Sequence, residues 1–279
     1  MMLVIKKIKN RGKRVVSYVH GKNVDRAAKP HKSLTRTLKK RSGRMKTGKL
    51  SIRRRGGGVR RRYRMVDFSQ KSGEYKVERL ERDPNRSSFI ALISDKKARK
   101  YYVLANEKMK AGDVISVGEK TEIKTGNRML LSKILVGSLV SNVELYPGSG
   151  GKLARSGGVC ATLMAREGGM VQLKMPSGEV RLVSDKCYAT IGQISNPESN
   201  MVRIGKAGRM RLMGKRPEVR GKAMNPVDHP HGGGEGNQPI GLKHPKTPWG
   251  KPALGVKTRK SNKASNKYIL KRRTRKRRK

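Results

Sequence analysis

Acidic residues are scarce in this 279-residue chain: 19 Asp and Glu stand against 69 Lys and Arg, for a net charge of +50 at pH 7. Self-repulsion on that scale opposes compaction unless a polyanion supplies the counter-charge, and nucleic acid is the obvious one. Aromatic residues are also few, 4% of the chain with a single Trp. Stacking on single-stranded bases is therefore expected to be a minor mode, and a structured RNA recognised by shape and backbone the better partner. Only two cysteines occur, Cys160 and Cys187, without CxxC spacing and without a histidine close by. That argues against a zinc site and against a secreted disulfide scaffold, leaving two small thiols in a reducing cytoplasm.

Long hydrophobic runs are missing too. The longest apolar stretch lies near 134–140, well short of the roughly 20 residues that cross a bilayer. Met1 to Ile5, followed by Lys6 and Lys7, is too short for a signal-peptide core and carries its charges on the wrong side. The basic segments are interrupted by Gly and Pro and lack a continuous apolar face, so no membrane partner is expected. The protein is expected to stay in the compartment where it is made.

What is present is unevenly placed. Residues 1–64 hold 24 basic side chains and one acid, Asp25, whereas 200–279 hold 24 and three. The stretch between is nearly balanced. Its segments 75–81, 88–94, 100–105 and 113–117 are rich in Val, Ile, Tyr and Phe, separated by turn signals such as Asp83-Pro84-Asn85, Ser94-Asp95-Lys96 and Ala111-Gly112-Asp113. A second set follows at 133–143, 159–165, 170–175, 179–183 and 189–194, with apolar and polar residues alternating over 170–175 and a hairpin turn at Pro176-Ser177-Gly178-Glu179. Neither set contains a ten-residue amphipathic helix, so the fold class is all-β and a parallel α/β enzyme fold is not expected. The expected organisation is a basic N-terminal extension over 1–64, one small barrel over 65–125, a second over 126–200, and a basic Gly/Pro-rich extension over 201–279.

The glycine-rich runs Arg55-Gly56-Gly57-Gly58 and His231-Gly232-Gly233-Gly234-Glu235-Gly236 fit neither GxxxxGK[ST] nor GxGxxG, so no nucleotide cofactor is implied. They suit backbone that approaches another surface closely. Arg53-Arg54-Arg55, Arg60-Arg61-Arg62 and the run from Lys271 to Lys279 are dense enough for sequence-independent phosphate contacts. Asp228-His229-Pro230-His231 with Glu235 nearby is the group most like an active site. A histidine beside a carboxylate can act as a general base, but no recognisable nucleophile accompanies it, and RNA contact or loop shaping is the simpler use.

The stretch Met224-Asn225-Pro226-Val227-Asp228-His229-Pro230-His231-Gly232-Gly233-Gly234-Glu235-Gly236 resembles the signature of the bacterial-type uL2 family of large-subunit ribosomal proteins. Further matching segments occur in order: Lys29-Pro30-His31-Lys32-Ser33-Leu34, Arg61-Arg62-Tyr63-Arg64, Asp83-Pro84-Asn85-Arg86, Leu153-Ala154-Arg155-Ser156, Gly205-Lys206-Ala207-Gly208-Arg209 and Thr247-Pro248-Trp249-Gly250-Lys251. The chain departs from the family pattern at Val59, Leu212 and Asn237, where a histidine, a tryptophan and a basic residue are usual.

The resemblance implies an OB-fold barrel followed by an SH3-like barrel, with long basic extended arms that enter large-subunit RNA near the peptidyl transferase centre. It implies three kinds of partner: large-subunit rRNA, small-subunit rRNA across the subunit interface, and other large-subunit proteins. The implied location is the cytoplasmic ribosome, or that of an organelle. Arg86 and Arg155 are then the primary RNA contacts on the barrels. With the basic runs and matching motifs, the candidate RNA-binding residues are Arg53, Arg54, Arg55, Arg60, Arg61, Arg62, Arg64, Arg86, Arg155, Lys206, Arg209, Arg220, Asn225, His229, His231, Lys251, Arg272 and Arg273. No enzyme activity, metal or cofactor is expected; the competing reading is a histidine-assisted acyl transfer through His229.

Overall fold

A computed structural model describes residues 2–7, 15–21, 23–25, 27–119 and 121–273. Its contacts divide the chain into two units, one of Met1–Lys39, Arg60–Lys206 and Lys267–Lys279, the other of Lys40–Val59 and Ala207–Asn266. In the first unit, β1 (Met2–Lys7) pairs antiparallel with β2 (Val15–His20), and β3 (Thr35–Thr37) with β4 (Arg62–Arg64).

The first barrel, of the OB type, is built on β5 (Gly73–Arg82), β6 (Phe89–Asp95), β7 (Lys100–Leu104) and β8 (Val114–Val117). β5 pairs with β8 along its first half and with β6 along its length. Tyr75 and Val77 point into the barrel. The register then shifts between Val77 and Arg79, so that Leu80 points inward instead and Glu81 turns to the other face. One extra residue in a period-two strand moves every later side chain to the opposite face. β6 is buried on both sides: Phe89, Ala91 and Ile93 enter the barrel core, while Ile90 and Leu92 pack with Val66, Tyr102, Leu104 and Ile194. Its sequence is accordingly an unbroken apolar run. The β6–β7 turn closes on Asp95, whose Oδ1 accepts the Lys97 and Arg99 N–H groups at 2.8 and 3.0 Å.

The second barrel, SH3-like, contains β9 (Arg128–Leu130), β10 (Leu139–Ser141), β13 (Ala161–Glu167), β14 (Met170–Lys174), β15 (Val180–Ser184) and β16 (Tyr188–Ile191). A small pair, β11 (Val143–Glu144) with β12 (Gly151–Leu153), sits beside it, and β17 (Ile269–Lys271) adds to the edge at β15. Leu131, Ile134, Val140, Leu163, Val171 and Leu173 fill its core. The strand expected over 133–143 does not form as one element. Ser138 N–H donates to the Leu135 carbonyl at 3.2 Å, turning the chain before β10 and leaving Leu135 and Val136 exposed. β9 and β12, three residues each, had no periodic signal to announce them.

A single parallel pairing, Val117 with Arg128, joins the two barrels into one continuous hydrogen-bonded sheet. Arg128 is fully buried there. Its Nη2 donates to Glu144 Oε1 at 2.9 Å and its Nη1 to the Asn142 carbonyl at 2.8 Å, while Glu144 Oε2 accepts the Gly148 and Tyr188 N–H groups at 3.2 Å each. Burial lowers the proton affinity of the guanidinium, and the Glu144 carboxylate opposes that shift.

In the second unit, residues 54–59 run antiparallel to 212–216: Arg216 N–H donates to the Arg54 carbonyl at 3.1 Å and Val59 N–H to the Leu212 carbonyl at 2.9 Å. The chain otherwise turns repeatedly, with a short α-helix, α1 (Ala207–Leu212), and a 3-10 turn at Gly221–Ala223. Like-charged segments far apart in sequence thus satisfy each other's backbone groups.

Removing one member of a buried ion pair strands the other charge in a dry interior. Arg128→Ala and Glu144→Ala are each expected to lower the unfolding free energy by about 3–5 kcal/mol, and an Arg128→Met, Glu144→Leu double variant by less than either. Urea denaturation of the four proteins checks this.

Candidate nucleic-acid interface

Arg86 and Arg155, some seventy positions apart in sequence, lie on one cleft of the first unit. The cleft, about 870 Å³, is lined by Tyr63, Phe68, Asn85, Arg86, Arg155 and Arg181 among others. Both guanidinium groups sit over the ring of Phe68, with Cζ to centroid distances of 5.7 Å for Arg86 and 4.4 Å for Arg155. A cation over an aromatic face is attracted by the ring quadrupole. Arg86 is further held by buried Asp83, whose Oδ2 accepts its Nε–H at 2.6 Å; Oδ1 accepts Asn85 N–H and Asn85 Nδ2–H at 2.9 Å each. Arg155 Nη1 donates to the Gly151 carbonyl at 3.2 Å. Each guanidinium has five N–H donors, so most of them remain for a ligand in the cleft.

The two walls of the cleft come from different barrels, and short polar contacts set their spacing. Ser87 Oγ accepts Gly157 N–H at 2.9 Å, and Asn196 Nδ2 donates to the Ser87 carbonyl at 2.6 Å. Phe89 N–H donates to Ser195 Oγ at 3.1 Å. Gly158 packs against Pro197 with φ +70°, where a Cβ would stand 2.3 Å from the Pro197 Cα. Only glycine allows that approach; Gly157 in turn packs on Ser87, where a Cβ would stand 2.9 Å from the Ser87 carbonyl oxygen, which keeps the loop carrying Arg155 against the residue following Arg86.

In the second unit, Asp228-His229-Pro230-His231 forms a tight loop. Asp228 and His229 N–H groups donate to the Asn225 carbonyl at 3.0 and 3.2 Å, and Gly232 N–H to the His229 carbonyl at 2.8 Å. The His229 ring is buried. Its Nδ1 accepts His231 N–H at 3.0 Å, the two rings lie 4.6 Å apart, and Gly221 packs so closely that a Cβ would fall 2.6 Å from the imidazole. Burial pushes its proton affinity down, helped by His231 and Arg53. The lone pair a general base would use is already committed to holding the loop.

Two family models match the chain: "Ribosomal Proteins L2, RNA binding N-terminal domain" over residues 31–117 and "Ribosomal Proteins L2, C-terminal domain" over 124–250. The large ribosomal subunit protein uL2 of Rhodospirillum centenum is 54% identical over 248 residues, 88% of this chain and 90% of that one. The chain belongs to the uL2 family.

Within this uL2 chain the remaining candidate residues fall into two groups. Beside the cleft, Arg61 Nη1 donates to the Pro84 carbonyl at 3.0 Å, the Arg62 carbonyl accepts Asn85 Nδ2–H at 2.8 Å, and Arg64 lies 3.9 Å from Asp83. In the second unit, Arg53 and Arg220 line a cavity with His229, Arg54 pairs with Glu218, and Arg55 bridges Lys215. His231 Nε2 accepts Lys246 N–H at 2.8 Å, and the Asn225 carbonyl caps the His229 loop. Lys251 closes a turn onto Thr247, and Arg209 lies on α1. Arg60, Lys206, Arg272 and Arg273 are exposed and belong to the first unit. The end of the basic run, 274–279, lies outside the described residues.

Sequence reasoning missed Phe68, Lys152 and Arg181 in the cleft and Arg211, Lys215 and Arg216 in the second unit. None stands in a run or motif that sets it apart. Among the described residues, no three His, Cys, Asp or Glu side chains gather as metal ligands, and no helix is long and apolar enough to cross a membrane.

Protonating Nδ1 would break the His229–His231 contact. His229 is expected to titrate below its ordinary value near 6.5, so folding binds fewer protons than unfolding and this loop loses stability as pH falls from about 6.5 toward the folded value. Imidazole NMR across pH checks the direction; titration above 6.5 would contradict it.

Proposed function

We propose that this uL2 chain is a structural, primary rRNA-binding constituent of the large ribosomal subunit, docking through the cleft that carries Arg86 and Arg155. The observation that supports this reading most is the convergence of those two guanidinium groups on one ring. Two fixed cations with free donors suit a phosphate turn of structured RNA better than a single strand. The net charge of +50 supplies the sequence-independent part of the affinity.

The labour divides along the chain. The OB-type barrel (65–125) and the SH3-like barrel (126–200) dock on RNA. The cationic segments 1–64 and 201–279 enter the RNA interior near the peptidyl transferase centre. There they support subunit association, tRNA binding and peptide-bond formation as architecture, in contact with large-subunit rRNA, small-subunit rRNA and neighbouring large-subunit proteins. His229 takes part as a loop-shaping RNA contact and not as a base.

Binding to large-subunit rRNA over a salt series tests the reading. Affinity should fall steeply with salt and exceed that for tRNA or duplex DNA. Arg86→Ala and Arg155→Ala should each weaken it about tenfold and reduce the salt slope by about one. Phe68→Leu, which keeps both arginines but removes the ring they rest on, should weaken binding by roughly three- to tenfold. Unchanged affinity in both arginine variants would remove the cleft from the docking surface.

A further inference from the structure

The chain's one tryptophan is 66% exposed, at Trp249. It stands at the tip of a tight hairpin. The Thr247 carbonyl accepts Gly250 N–H at 2.9 Å, Thr247 N–H donates to the Lys251 carbonyl at 2.7 Å, and Ala253 N–H donates to the Pro245 carbonyl at 2.7 Å. Pro248 occupies the second turn position, where its fixed φ favours the turn, and Trp249 the third. The hairpin is itself tethered, because Lys246 N–H donates to His231 Nε2 at 2.8 Å. The indole is therefore presented on fixed backbone, in contact with water.

Beside it lies a cavity of about 570 Å³ lined by Arg53, Arg54, Arg220, Met224 and Pro248 as well as Trp249. That volume is in the range that encloses a nucleotide-sized ligand. The unit that contains it, 40–59 with 207–266, has 21 Lys and Arg against three acids, a net +18. One of those acids, Glu218, is paired with Arg54. Such a surface repels most proteins and selects polyanions. Among polyanions, nucleic acid is the class that also carries π-faces to cover an indole. The apolar side of the cavity, Met224 and Pro248, suits the flat face of a base, and Arg53 and Arg220 suit its phosphates.

We propose that Trp249 is a stacking platform for one unpaired base of the RNA, with Arg53 and Arg220 gripping the phosphates that flank it. This rests on the rRNA-binding reading and adds to it a site for a single unstacked nucleotide. It also gives a local exception to the expectation that base stacking is minor in this chain.

Because no other tryptophan is present, intrinsic tryptophan emission of the full chain reports on this side chain directly. Large-subunit rRNA and a single-stranded oligoadenylate are expected to quench it on binding. Heparin, a polyanion without bases, is expected to leave it unquenched at the same bound charge. Trp249→Leu should weaken rRNA binding about tenfold, the usual cost of losing one stacked base, while Trp249→Phe should recover most of the affinity. Quenching by heparin equal to that by RNA would overturn the proposal, as would full rRNA affinity in Trp249→Leu. Tight rRNA binding with Trp249 emission unquenched would overturn this proposal alone. Absence of rRNA binding would overturn the parent reading and this one with it.

Discussion

The barrels depend on how three buried carboxylates are used in a chain of net charge +50. Glu144 neutralises Arg128 at the parallel pairing of β8 with β9 that joins the barrels. Asp83 holds Arg86 at the cleft, and Glu81 binds Arg79 and the Tyr102 hydroxyl. That hydroxyl accepts His31 N–H at 2.9 Å while Arg79 donates to the Lys29 carbonyl, so the incoming N-terminal segment is fastened to the barrel. A buried charge without its partner is costly, and each of these acids therefore dictates where an arginine goes.

The consequence is a division among the cations. Among the described residues, Arg79, Arg86 and Arg128 are paired with buried acids and act as structure, whereas Arg60, Arg272 and Arg273 are exposed. The cleft arginines stand between these roles, since Asp83 and Phe68 hold Arg86 without exhausting its donors. The same logic governs the His229 loop, where a ring whose proton affinity is pushed down by burial accepts a backbone hydrogen bond from His231. In the second unit, backbone pairing between 54–59 and 212–216 orders two basic segments that have almost no apolar core to hold them.

Much of the fold was legible along the chain. Strands β5 to β8 and β13 to β16 follow runs of Val, Ile, Leu and Tyr with turn residues between them, because side-chain alternation and turn chemistry are local properties. The reading failed at 133–143, where an apolar run masks a turn, and at β9 and β12, which exist only because neighbouring strands pair with them. The candidate site was half legible. Arg86 and Arg155 were marked by their motifs and the arginine runs by density, but Phe68 beneath both arginines carries no linear signal. Trp249 was visible within a family motif, yet its exposure and its cationic surroundings were not.

By itself the sequence determined the class of partner, through charge, and the all-β class, through periodicity; family membership followed from ordered motifs and is borne out by the matching models. Tertiary structure alone decided which cations are consumed as fasteners and which stay exposed. It brought Arg86 from one barrel and Arg155 from the other onto a single ring, through the contacts of Ser87, Gly157 and Asn196. The physical reason is that charge and alternation are properties of residues and their neighbours, whereas burial, ion pairing and ring contact depend on what the folded chain places alongside.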